Sequence, residues 1–316
     1  MDVRDLVDPA YKEVLTAMAA APAPDWSNPA AVRERNRAAF PPAPIPEGVD
    51  HKDHAAPGAN GAPEVTVRVY RPAGQSGPLP CIYWIHGGGY IGGSYDGNND
   101  LASAWVRDLN CVVASIDYRL APECPYPGPL DDCYAGLAWL TKNAATLQVD
   151  PAHVLIAGGS AGAGLAAALA LLVRDRAEIA ITHQILIYPM IDDRRTTASS
   201  QWDTWVWTKN SNEIGWRSYL GPLFGKDDVP AYAAPSRATD LSNLPATFMM
   251  VGTLDLFLDE DLEYAQRLIH SRVPVELHVY PGAPHGFDVP RFGGKSQLAA
   301  RARRELKEYL RIALTG

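Results

Sequence analysis

The sequence predicts an α/β fold: a mostly parallel central sheet flanked by helices, with a helical cap. Two patterns and one number carry this. From residue 64 onward, apolar runs of strand length alternate with helix-length periodic segments, the mark of a doubly wound α/β domain. Several runs, such as CIYWIH (81–86) and VLIAGG (154–159), are apolar at nearly every position, as strands buried on both faces are. The chain has 316 residues, 47% of them hydrophobic and 20% charged, enough to enclose one large core.

Residues 1–48 read as N-terminal cap helices. An amphipathic helix is expected at 11–20 and a second at 30–39, bracketed by the proline-rich stretches APAPDW and FPPAPIP. Residues 51–62, with Pro57, Gly58 and Gly61, read as a loop-rich lead-in. Strands are expected at 64–70, 81–86, 111–117, 153–158, 181–188, 247–252 and 275–280. Helices are expected at 99–109, 130–143, 161–174, 260–271 and 296–313. The catalytic core is thus split into 49–188 and 235–316. Between them, 189–234 breaks the rhythm with DDRR, WDTWVW and a short helical NEIGWRSYL. This insertion and the N-terminal helices are expected to cap the C-terminal edge of the sheet, where α/β ligand sites lie.

Bulk properties exclude several classes. The net charge of −8 and the lack of any basic run argue against nucleic-acid binding. No run of about 18 apolar residues exists, so no membrane insertion is expected. The first residues are as acidic as basic, which does not suit a signal peptide and points to the cytoplasm. Cys81, Cys111, Cys124 and Cys133 form no CxxC pair and read as free thiols, Cys81 and Cys111 as small buried hydrophobes. No His/Asp/Glu cluster has metal spacing, so no metal is expected.

The chemistry lies in four short stretches. Gly158-Gly159-Ser160-Ala161-Gly162 fits G-x-S-x-G, placed between an expected strand and an alanine-rich helix. By composition the pattern alone would occur in about one chain in ten of this length, so its placement decides. The competing reading is a glycine turn that cradles a phosphate, but no P-loop lysine follows. His86-Gly87-Gly88-Gly89 ends an expected strand and is by composition a much rarer pattern. Glycines there let backbone N–H groups face a developing oxyanion, and Gly88, Gly89 and Ala161 are the expected donors. His86 is read as pinning this loop by hydrogen bonding, not as a base. Downstream of Ser160, only His285 lies in a loop just past a strand, whereas His183, His270 and His278 fall within expected strands or helices. Asp255 is the first carboxylate past the strand at 247–252. Asp259 and Glu260 read as N-terminal charges of the next helix. The order Ser160, Asp255, His285 is that of an α/β-hydrolase triad.

Together these stretches resemble the hormone-sensitive lipase family of esterases (bacterial family IV), from about Val65 to about Phe287. HGGGY at 86–90, DYRLAPE at 117–123, GGSAGAG at 158–164, DLFLDE at 255–260 and APHGF at 283–287 carry the likeness. The resemblance implies a carboxylic ester hydrolase for short- to medium-chain acyl esters, acting without cofactor beneath a cap. Gly159 and Ala163 depart from the family's usual Asp and Gly, which touches the subgroup but not the chemistry. Arg119 and Glu123 are expected in a structural ion pair or hydrogen-bond network. Family analogy also suggests a homodimer through an edge strand or the last helix.

Trp202, Trp205 and Trp207 either line an acyl or alcohol pocket or simply pack the cap, and both readings stand. Tyr90 is expected to face the pocket. The same triad serves an amidase, and a non-catalytic ligand receptor would be expected to have lost a triad residue.

Overall fold

The computed structural model describes residues 3–20, 25–293 and 296–315. The prolines at 22 and 24 lie outside them. Eight strands form one sheet in the order β1-β2-β4-β3-β5-β6-β7-β8. They are β1 (Val49–Ala56), β2 (Val65–Pro72), β3 (Leu79–Ile85), β4 (Val112–Asp117), β5 (Val149–Gly159), β6 (His183–Ile187), β7 (Ala246–Leu254) and β8 (Val275–Pro284). From β4 through β8 every pairing is parallel, while β1 and β2 add antiparallel at one edge.

The two-sided burial expected of the apolar runs is present, with a period of two. On β3, Cys81, Tyr83 and Ile85 join one core layer, and Ile82 and Trp84 join the other. The first layer includes α4 (Gly128–Lys142) and α6 (Ala161–Arg176). The second includes α3 (Asn99–Leu109) and α10 (Gln297–Ala313). Between α4 and α6 lies the single-turn α5 (Ala144–Leu147); α8 (Leu258–His270) links β7 to β8, and the short α9 (Pro290–Gly293) precedes α10. The helix α6 is buried along nearly its whole length because its side chains are mostly alanine and leucine.

One element departs from expectation. Residues 49–56 are not a loop but the edge strand β1. Its VDHKDHAA sequence is polar because only its end residues, Val49 and Ala56, are buried. An edge strand exposed on most of its length carries no hydrophobic period to read.

The N-terminal helices are α1 (Lys12–Ala20) and α2 (Pro29–Ala39), and the insertion after β6 contains α7 (Lys209–Leu220). All three segments are tied to loops at the C-terminal ends of strands. Arg33 of α2 donates to the carbonyls of Ile91 and Ala121 and pairs twice with Glu123. Tyr11, in the turn just before α1, donates to Phe287 O, 3.2 Å away. The carbonyl of Tyr219 on α7 accepts from Tyr126 N–H at 2.7 Å.

Candidate active site

The strand β5 runs directly into Ser160, and α6 begins at the next residue. The turn between them is tight. A side chain on Gly158 would collide with the backbone of Gly162, and one on Gly162 with the carbonyls of Ile85 and His86. Only glycine permits that approach. Ser160 itself has φ 56° and ψ −123°, a conformation costing about 1–3 kcal/mol for a residue with a Cβ. Its neighbours hold it there. The Ser160 N–H donates to Ile187 O at 2.9 Å, and its carbonyl accepts from Met190 N–H at 3.1 Å. The turn thereby presents the hydroxyl at the end of the sheet.

Asp255 immediately follows β7, and His285 immediately follows β8. These strands are neighbours in the sheet, so their ends meet beside Ser160. His285 Nε2 lies 2.9 Å from Ser160 Oγ. His285 Nδ1 lies 2.7 Å from Asp255 Oδ2, and Asp255 Oδ1 accepts from Phe257 N–H at 3.1 Å. Asp255 is fully buried and His285 is 7% exposed. Two rings meet the imidazole edge-on: Tyr188 at 4.7 Å and Phe257 at 5.2 Å. The Tyr188 hydroxyl donates to Asp288 Oδ1, three residues past His285. Burial raises the Asp288 carboxyl above its ordinary range. Sequence reasoning missed Tyr188 and Asp288; their one signal was position, at a strand end and just past the histidine.

The glycine loop after β3 lies against the serine turn, so that a side chain at Gly87 would press on Gly159 O and Ser160 Cβ. Gly88 and Gly89 have φ of 128° and 62°. Their N–H groups donate to no acceptor among the described residues. Ala161 opens α6, where the first N–H groups have no intrahelical acceptor. The structure thus brings the three expected donors and the three expected triad residues to one place. His86 Nδ1 lies 2.9 Å from Gly87 O, and its ring stacks on Tyr118 at 4.3 Å. Burial lowers its pKa to about 4, so the ring is neutral at pH 7 and Nδ1–H donates to the loop. It has no contact with Ser160 Oγ and fits the pinning role.

Tyr90 departs from expectation. It is 1% exposed, stacks on Tyr219 at 4.0 Å and donates its hydroxyl to Met190 O. It supports the glycine loop from within the core and does not face a pocket. The three tryptophans separate. The Trp207 ring lies directly on Gly89, and its Nε1 donates to Asn212 on α7. Trp205 lines a cleft of about 230 Å³ with Val7, Lys12 and Leu15 of the N-terminal segment. Trp202 packs against the core layer of α4 and α6. Between the last two of the WDTWVW run, Val206 has φ 65°, and Trp207 N–H donates to Trp205 O at 2.7 Å. This is a γ-turn of the strained hand, placed with Val206 beside Gly286 and Trp207 on Gly89.

Arg119 and Glu123 do not pair with each other. Arg119 forks onto buried Asp132 at 2.7 and 2.8 Å, and exposed Glu123 accepts the fork of Arg33. The network is structural, but it joins α4 on one side and α2 on the other. Asp192 and Asp193 are held by Arg194 and Arg237, and the histidine's carboxylate partner is Asp255. Asp259 and Glu260 do stand in the first turn of α8, but both accept hydrogen bonds from the insertion after β6. All four cysteines are free, and Cys81, Cys111 and Cys133 are buried. Among the described residues, no group of three His, Cys, Asp or Glu is placed to hold a metal ion, and no helix is long and apolar enough to cross a membrane.

A serine, a histidine and a carboxylate in line beside free backbone donors are the arrangement that nucleophilic-serine hydrolases use. Comparison with known proteins agrees. A profile for the alpha/beta hydrolase fold matches residues 82–289. Carboxylesterase NlhH of Mycobacterium tuberculosis is 35% identical over 234 residues, 73% of this chain and 73% of its own length. Esterase LipI of the same species is 29% identical over 319 residues, 100% of this chain and 98% of its own length. Among solved structures, a bacterial heroin esterase superposes with a TM-score of 0.92 at 36% identity, covering 98% of each chain. The chain belongs to the α/β-hydrolases, in the hormone-sensitive lipase-like branch, and is an ester hydrolase of that family.

Proposed function

We propose that the protein is a serine carboxylesterase that cleaves short- to medium-chain acyl esters through an acyl-enzyme on Ser160. The observation that carries this is the continuous line from Ser160 Oγ through His285 to Asp255, at 2.9 and 2.7 Å, beside the N–H groups of Gly88 and Gly89. In this reading His285 takes the serine proton as Oγ attacks the carbonyl carbon. The carbonyl electrons move onto oxygen, which rests on the N–H groups of Gly88, Gly89 and Ala161. One such donor is typically worth about 3–4 kcal/mol. The imidazolium then returns its proton to the leaving alcohol. Water enters, loses a proton to His285 and releases the acid. Asp255 holds the imidazole by Nδ1–H and steadies its charged form.

The segments 1–48 and 189–234 form the cap in this reading. Trp207 lies on Gly89 and Val206 beside Gly286, and Ser160 is 8% exposed; in this reading that crowding favours small acyl groups. The names of the relatives support esters over amides. The exposed Val279 of edge strand β8 and Ile312 of α10 would form the faces of a homodimer.

The test is turnover of p-nitrophenyl esters from acetate to laurate, beside the matching anilides. The reading expects the short esters to be cleaved fastest, laurate poorly and anilides slowest. Faster anilide than ester cleavage would make it an amidase. Saturable binding of a short ester with no turnover would make it a receptor.

A further inference from the structure

The residues that make the triad come from three separate strand ends, and one buried side chain ties the helix after Asp255 to the loop after β6. Glu260 stands in the first turn of α8, five residues past Asp255, and is 1% exposed. Its Oε1 accepts from the N–H groups of Ile191 and Asp192 at 3.0 and 3.1 Å. The residue before them, Met190, touches the other two parts of the site. Its N–H donates to Ser160 O at 3.1 Å, and its carbonyl accepts from the Tyr90 hydroxyl at 2.8 Å. Tyr90 follows Gly89 in the glycine loop.

We propose that Glu260 is a positioning residue: by gripping residues 191 and 192 it sets the Met190 peptide that fixes both the Ser160 turn and the Gly88–Gly89 loop relative to Asp255. The inference rests on the acyl-enzyme reading above and adds a residue that touches no reacting atom. The strain at Ser160 makes the grip consequential. A residue at φ 56° relaxes unless its peptide groups are held, and Met190 supplies one of the holds. Displacement of a nucleophile by about 1 Å costs on the order of a hundredfold in rate. Burial and the nearby Asp192 carboxylate favour the uncharged acid at Glu260. A neutral acid and an amide offer the same carbonyl oxygen to two N–H donors, so glutamine is the conservative replacement.

The experiment compares Glu260→Gln, Glu260→Asp and Glu260→Ala with wild type, measuring kcat and KM for p-nitrophenyl acetate. Rates are counted per active site, titrated to completion with a fluorophosphonate. The Gln variant is expected within about threefold of wild type in kcat. The Asp and Ala variants are expected to lose about tenfold or more in kcat per site, with KM moved by less than about threefold. A purely structural residue would lower the titre of sites and leave kcat per site unchanged, and that result overturns the proposal. Loss in Gln equal to that in Asp also overturns it, and this comparison stands even where the Ala variant does not fold. If wild type itself cleaves no ester, the acyl-enzyme reading fails first, and the two failures are distinguishable.

Discussion

At the scale of single residues, the site is made by side chains whose hydrogen bonds are fixed before any substrate arrives. Ser160, His285 and Asp255 are each at least nine-tenths buried, and His285 is within bonding distance of both the others. Preorganised donors and dipoles need no rearrangement at the moment charge develops. His86 shows how far burial dictates state. Its folded pKa lies near 4, below the unfolded value of about 6.5, so the unfolded chain binds the extra proton between those values. The stability that neutral His86 confers is complete above about pH 6.5 and is lost as pH falls toward 4. An asparagine in its place cannot titrate. Urea unfolding should therefore show the stability gap between wild type and His86→Asn narrowing by about 2 kcal/mol from pH 7 to pH 5. A gap that stays constant would mean that His86 is charged in the folded protein or already neutral in the unfolded one.

At the scale of elements, the parts that act are strand ends and the turns after them. The turn after β5, the glycine loop after β3, Asp255 after β7 and His285 after β8 all fall at one edge because these strands run parallel in one sheet. The γ-turn at Val206 belongs to a different element, the insertion, and closes on that edge. Trp207 is pinned by Asn212 and lies on Gly89. Truncating it opens space over the glycine loop. Trp207→Ala is expected to move the best acyl chain longer by about two carbons or more, as each methylene in an apolar pocket is worth about 0.8 kcal/mol. The kcat/KM profile from acetate to decanoate checks this, and an unchanged optimum would place the acyl pocket elsewhere. The strands and helices of the core were legible because their two-sided burial leaves uninterrupted apolar runs. β1 was not, because its burial is confined to its ends. Tyr90 was misplaced for a related reason: adjacency to Gly89 in sequence says nothing about which side of the loop its ring takes. Glu260 and Tyr188 were invisible as site residues because their partners lie about 70 and 100 residues away along the chain.

At the scale of the whole molecule, two segments distant in sequence converge on one edge of the sheet. The N-terminal helix α2 arrives through Arg33, which satisfies two loop carbonyls and Glu123 together. The insertion arrives through α7 and the Trp205–Trp207 turn, and Trp205 meets the N-terminal segment across a cleft of about 230 Å³. The two also meet each other, through the Arg4–Asp203 ion pair at 3.3 Å.

The central claim is that Ser160 carries the acyl group. It is tested most directly by intact mass and peptide mapping after treatment with a fluorophosphonate, with Ser160→Ala alongside. The account predicts one adduct per chain, on the peptide containing Ser160, formed in step with loss of esterase activity and absent from the variant. An adduct on another residue, or an active Ser160→Ala enzyme, would contradict it.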